Sequence, residues 1–226
     1  MGRVNYNQEP SEPQLVGRKH TVILVQMPEA EFDATSRLSP DTYLVDVGFG
    51  LGLTKPIALR ENEQVDGMAP PEKHRLVRAT HPLNVLNMAD PDSVAVASEW
   101  ALQTNLTSRW EVIPDGQWRT LHQFDMLQAQ MNDFQHLSWT VANGPGTIFW
   151  GNILAVVYHA EEDDQLSITV MFGNKVTRRY QGKITISKEF HNEADRLGAL
   201  EEYFGIEYHP EAAALINRKG AALSSA

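Results

Sequence analysis

The chain has 226 residues, 42% hydrophobic and 21% charged, an ordinary balance for a folded globular protein of one large or two modest domains. A net charge of −10, from 19 Lys and Arg against 29 Asp and Glu, disfavours nucleic acid and anionic membrane surfaces, because their phosphates repel a negative field. With Cys 0, these residues offer no disulfide, no thiolate metal ligand and no cysteine nucleophile.

The opening MGRVNYNQEPSEPQ has no apolar stretch of the kind a secretory signal needs, and no run of about 18 apolar residues follows anywhere. A cytoplasmic protein with no membrane span is the expectation. TVILVQ (21 to 26) and TYLVDVGF (42 to 49) are β-branched apolar runs, joined by a loop rich in prolines and acids, and read as an antiparallel hairpin. RWEVIPDGQWRTLHQF (109 to 124) centres Asp115-Gly116 between two strand-like runs, a strong hairpin signal. LSITVMFGNKVTRRYQ (166 to 181) repeats the device with Gly173-Asn174 at the turn, and AEEDDQ (160 to 165) reads as a solvated hairpin tip. ITISKEFHNEADRLGALEEYFG (184 to 205) begins as a strand and becomes a helix, with Ser187 as a cap and Phe190, Ala194, Leu197 and Tyr203 at helical spacing; PEAAALINRKG reads as a shorter helix. The fold class expected is mainly β: an antiparallel β-barrel over 1 to 130, an interdomain segment 131 to 148, and a smaller α+β lid domain over 149 to 226 with C-terminal helices.

Asp46 is the residue that asks for an explanation. A carboxylate among Tyr43, Leu44, Val45, Val47 and Phe49 is costly to bury unless a charged or hydrogen-bonding group meets it. If 21 to 25 pair with 43 to 47, opposite residues sum to about 66 to 68, which brings His20 across from Asp46 or its near neighbour. A carboxylate so placed fixes an imidazole's tautomer and stabilises its charged form, the orienting half of a nucleophilic triad. Spacing alone leaves open a plainer reading, in which His20 sits at the wet start of a strand and Asp46 caps the turn before Gly48.

HTVILV, then YLVDVGFG, then KPIAL resembles the arylamine N-acetyltransferase family, in which a His begins one barrel strand and DVGFG ends the next. MNDFQHLSWTVANGPGTIF, ADRLGALEEYFGI and GRVNYN extend the resemblance over nearly the whole chain, more loosely. The resemblance implies acyl transfer by double displacement: a cysteine thiolate takes acetyl from acetyl-coenzyme A, and an aromatic amine or hydrazine removes it. His20 matches the base and Asp46 its orienting acid, while Gly48, Phe49 and Gly50 match the turn that approaches the acyl group and lines the acceptor pocket. Asn143, Gly144 and Thr147 fall where the family contacts coenzyme A, although Ala142-Asn143-Gly144 replaces its Ser-Thr-Ser run and Ser138 stands where Asn is common.

The family's nucleophile belongs to an Arg-Gly-Gly-x-Cys motif on a helical domain before the GRV strand, and nothing in these residues matches it. The expectation is a chain that begins where that domain ends. Such a chain is inactive as given, and it exposes an apolar face that favours self-association. The alternatives are a standing pseudoenzyme that binds an acyl-coenzyme A, an arylamine or a protein partner, and a relative of papain-like or transglutaminase-like enzymes. No metal is expected: His74 and His81 with Glu72 lack a helical i, i+4 ligand spacing. GFGLG (48 to 52) is no dinucleotide loop, since Pro56 intrudes and no helix pattern follows.

Overall fold

The computed structural model describes residues 2–8, 20–27, 42–50, 52–68, 71–80, 98–106, 113, 117–144, 147–209, 211, 215–216 and 220–223. The chain divides into two compact units, Met1–Ala129 and Gln130–Ala226.

The first unit is all strand among its described residues. β1 (Gly2–Gln8), β5 (Gln64–Asp66), β6 (Lys73–Thr80), β7 (Ser98–Thr104) and β8 (Arg119–Phe124) form an antiparallel sheet in the order β1-β8-β7-β6-β5. β2 (Ile23–Gln26), β3 (Thr42–Val45) and β4 (Ile57–Ala58) form a second antiparallel sheet, and its register pairs Ile23 with Val45 and Val25 with Tyr43. Inward side chains of both sheets meet in one core of Leu44, Ile57, Leu59, Leu76, Trp100, Leu102, Leu121 and Phe124. The expected barrel is corrected here, because the described strands make two sheets over a shared core without closing into one cylinder. Among the described residues β1 and β5 end one sheet and β2 and β4 the other, β4 holding only two residues. The chain then leaves the ladder through a bend at Leu59–Arg60 and a turn with Asn62 at φ 61°, and bonds to β6 through Asn62 N–H to Leu76 O at 2.7 Å. The Asp115-Gly116 turn lies outside the described residues.

The second unit opens on a helix that strand-seeking patterns do not anticipate. α1 (Met131–Asn143) starts at a reciprocal capping box between Gln130 and Asp133 and has no buried residue. The short α2 (Ile148–Gly151) follows. β9 (Leu154–Ala160), β10 (Leu166–Phe172), β11 (Lys175–Tyr180) and β12 (Lys183–Glu189) form an antiparallel meander, and α3 (Glu193–Phe204) packs its apolar side on it around Met171, Val176, Phe190, Ala199 and Leu200. The Gly173-Asn174 hairpin forms as expected: Phe172 pairs with Lys175, and Gly173 takes φ 62°, which a side chain resists.

Three local expectations are corrected. Ser187 does not cap the helix; it pairs with Thr177 inside β12, and the cap is Asn192, whose side chain accepts from Asp195 N–H at 2.9 Å. The buried stripe of α3 runs Arg196, Ala199, Leu200 with Tyr203 partly covered, while Ala194 faces water. The tip at 160 to 165 is pinned as well as wet: Glu161 takes Arg178 at 2.7 Å, and Asp163 accepts from the Tyr180 hydroxyl at 2.6 Å. The shorter helix expected from PEAAALINRKG lies mostly outside the described residues.

Candidate active site

Asp46 follows the last residue of β3, where the backbone bends over 47 to 50. Gly50 has φ 75°, a conformation that favours glycine and turns the chain out of the sheet. The bend lets Phe49 N–H donate to Asp46 Oδ1 at 3.2 Å, so the carboxylate does cap its turn. It also faces His20, whose Nε2 lies 2.8 Å from Oδ2 and 3.0 Å from Oδ1. The two readings left open by spacing therefore hold together in one side chain.

Register explains the meeting. Pairs on β2 and β3 sum to 68, which carries His20 beside Gly48, two residues beyond Asp46 on the same strand face. A Cβ added to Gly48 would meet His20 Cε1 at 3.7 Å, an ordinary contact, so this glycine is not explained by close approach. Phe49 is half-buried, and its ring meets His20 edge-on with centroids 5.7 Å apart.

A third residue, absent from sequence expectations, completes the cluster. His122, in the middle of β8, is wholly buried, and its Nε2 lies 2.8 Å from the same Asp46 Oδ2 that His20 contacts. The contact is short but bent, so neither ring nitrogen of His122 has a partner along a hydrogen-bonding direction. Its ring is enclosed by His20, Phe49 and Phe124, with centroids at 5.1, 5.2 and 5.9 Å. Little in the sequence flags it: His122 shares the inward face of Phe124, while Thr120, paired with Gln103 across a register shift at Leu121, turns to the other side.

Charge at this cluster is set by competition. Burial raises the Asp46 carboxyl, but contacts and charge from His122 and His20 outweigh it and hold the group well below the usual carboxylate range. Burial pushes the proton affinity of His122 down, and the neighbouring Asp46 only partly restores it. A lone buried carboxylate is costly by several kcal/mol; here two imidazoles and one amide share it. His20, Asp46 and His122 each offer one ligand atom, all within 4.8 Å, and among the described residues they are the set that could hold a metal ion. His74 and Glu72 lie 3.3 Å apart in the interior, and His81 falls outside the described residues.

The remaining expected site residues sit at the junction of α1 and α2 in the second unit. Asn143 Nδ2 donates to Trp139 O at 3.0 Å, and Gly144 N–H donates to Thr140 O at 2.8 Å. A Cβ at Gly144 would lie 2.6 Å from that same carbonyl, so glycine is required by the helix end. Thr147 caps α2, accepting from Trp150 N–H at 3.2 Å and donating to Val141 O at 3.0 Å. The local backbone therefore already occupies the Thr147 hydroxyl.

The family model described as N-acetyltransferase matches residues 1–213. Among solved structures, the chain is 21% identical to Mycobacterium marinum arylamine N-acetyltransferase in complex with CoA, with TM-score 0.65, covering 96% of this chain and 67% of that one. It is 25% identical to the Mycobacterium smegmatis arylamine N-acetyltransferase (TM-score 0.63, 91% and 60% covered) and 19% identical to that of Salmonella typhimurium (TM-score 0.63, 96% and 65% covered). The chain thus spans about two thirds or less of the length of these structures. No curated protein matches the sequence.

Proposed function

This chain belongs to the N-acetyltransferase family, and from that we propose that it carries the base and orienting acid of an acyl transfer from acetyl-coenzyme A to an aromatic amine or hydrazine. The observation that carries the reading is the 2.8 Å contact between His20 Nε2 and the buried Asp46 Oδ2. Held there, Nε2 keeps its proton and Nδ1 is left with the lone pair that takes one. In the first step His20 removes a thiol proton, the thiolate attacks the acetyl carbonyl, an S–C bond forms, and the bond to coenzyme A breaks. The departing coenzyme A thiolate regains a proton from the imidazolium. In the second step the amine forms an N–C bond, the thioester breaks, and His20 receives the amine proton before returning it to sulfur.

The acceptor is read as lying against Gly48, Phe49 and Gly50 of the first unit, and coenzyme A against Asn143, Gly144 and Thr147 of the second. A CoA complex of the M. marinum protein supports the choice of co-substrate. The thiol is the missing party, because the sequence has Cys 0. That observation also favours a second reading, a non-catalytic chain that binds acyl-coenzyme A, an arylamine or a protein partner.

The test is to mix the purified chain with acetyl-coenzyme A and an aromatic amine, follow thiol release, and inspect the protein by mass spectrometry. Release no faster than in solution and no acetylated protein are expected, with calorimetry showing coenzyme A binding. Sustained release that His20→Ala abolishes would mean a nucleophile other than cysteine and would sink the mechanism. Absence of coenzyme A binding would remove the co-substrate assignment.

A further inference from the structure

The Asp46 carboxylate has one partner more than the proposed chemistry uses. His122 comes from the five-stranded sheet, while His20 and Asp46 belong to the three-stranded side of the first unit. Its Cα partners are Leu102 on β7 and Val4 on β1, so the ring rises from the middle of a sheet whose neighbouring inward side chains include Leu102 and Phe124. Such a position suits an apolar side chain. The imidazole found there leaves both ring nitrogens buried without a partner along a hydrogen-bonding direction, Nε2 in a short but bent contact with Asp46 Oδ2, and proteins rarely keep buried polar atoms so placed where an apolar residue would fit.

The proton on His122 follows from distance. A ring nitrogen 2.8 Å from an ionised carboxylate oxygen cannot present a lone pair to it, so Nε2 carries the hydrogen and Nδ1 does not. Burial keeps the ring neutral, and His20, Asp46 and, further off, the buried His74 are the titratable groups whose charge it feels. Asp46 Oδ2 therefore sits between two N–H groups from opposite sheets, while Oδ1 takes the Phe49 amide.

We propose that His122 is a positioning residue for the His20–Asp46 pair: its Nε2–H pins Asp46 Oδ2, so that the carboxylate keeps one rotamer and His20 keeps one tautomer. The inference deepens the acyl-transfer reading, since a base with a fixed tautomer presents its lone pair on a single nitrogen. A structural filler would hold the sheets apart equally well as phenylalanine. A positioning donor would not.

The two are separated by long-range ¹H–¹⁵N spectra of the histidine rings in the protein as it stands, which need no turnover. The native chain is expected to show His122 protonated on Nε2 alone and His20 in one dominant tautomer. His122→Phe should fold with the same backbone spectrum yet turn His20 into a mixture of tautomers. His122→Gln, whose amide nitrogen falls near the place of the imidazole Nε2, should restore the single form, and His122→Asn, whose amide stops at the place of Nδ1, should not. His122 protonated on Nδ1, or a His20 spectrum unchanged in His122→Phe, would overturn the proposal. Should His122→Phe not fold, the Gln and Asn variants decide alone: equal His20 spectra in both would overturn it. These outcomes are independent of acetyl transfer, so a chain that passes them and binds no coenzyme A would leave the positioning role standing and remove only the acyl-transfer reading.

Discussion

Burial opposes the charge on Asp46, yet contacts from His122 and His20 more than offset it, and the carboxyl lies well below its usual range. His122 is displaced downward too, mainly by burial, with Asp46 restoring part of it. Both folded-state values are depressed, so each group contributes stability that is full above its unfolded value and is lost as pH falls. For His122 the loss begins below about pH 6.5, where an unfolded histidine takes a proton that the folded one refuses. For Asp46 it begins only below about pH 4. Denaturant titrations between pH 7.5 and 5 should therefore show a decline, with a slope of at most about 1.4 kcal/mol per pH unit from this one site. His122→Phe should flatten that part of the curve. An unchanged slope in the variant would mean that His122 is not the group being forced neutral.

The helix α3 is held by a side chain that the sequence analysis does not single out. Arg196 is wholly buried and binds Glu193 through Nη2 at 2.6 Å, Gly173 O through Nη1 at 3.3 Å and Ala221 O through Nη2 at 2.9 Å. Glu193 in turn accepts Leu223 N–H at 2.7 Å. One guanidinium thus ties the helix to the β10–β11 turn and to the segment at 221 to 223, using the fork geometry that lysine lacks. Arg196→Met keeps the stem but strands two carbonyls and a carboxylate, and should cost about 3 kcal/mol, read as a drop in denaturation midpoint. Arg196→Lys should recover less than half. A loss under about 1 kcal/mol in the methionine variant would show the network to be ornamental.

In the first unit, one surface conflicts with solubility. β2 is the outer strand of its sheet among the described residues, and Ile23, Val25 and Met27 alternate onto its open face with 50%, 39% and 51% exposure. Val47, past the end of β3, is 82% exposed. An apolar outer strand invites pairing with another chain. The net charge of −10 opposes contact between copies, but at physiological salt it is screened beyond about 8 Å, so it does not block an edge-to-edge approach. Concentration-dependent self-association is expected by light scattering, and Ile23→Thr with Val25→Lys should suppress it without loss of fold. A native chain that stays monomeric at high concentration would refute this.

What the sequence determined by itself is whatever depends on neighbours along the chain. Alternating β-branched residues marked β2, β3, β10 and β11, Gly173-Asn174 marked its turn, and the hairpin sum placed His20 near Asp46, because antiparallel register is set by local pattern. The family motif added a chemistry that no spacing could supply. Tertiary structure decided the rest. In RTLHQF a histidine at an inward position looks like any other core-facing residue, and only the packing of one sheet on the other reveals that its Nε2 meets Asp46 Oδ2. Arg196 reads as a surface charge on a helix until the turn at Gly173 and the carbonyl of Ala221 close over it. α1 carries Phe134, Leu137 and Val141 at i, i+3, i+7, a short stripe that is only partly covered and that a reading for strands passed over. Among the described residues the expected barrel stands as two sheets over one core, with β1, β5, β2 and β4 at their edges, because which strands pair across the unit is decided by contacts distant in sequence. Pattern records which side a residue faces; what it meets there is fixed only when distant strands come together.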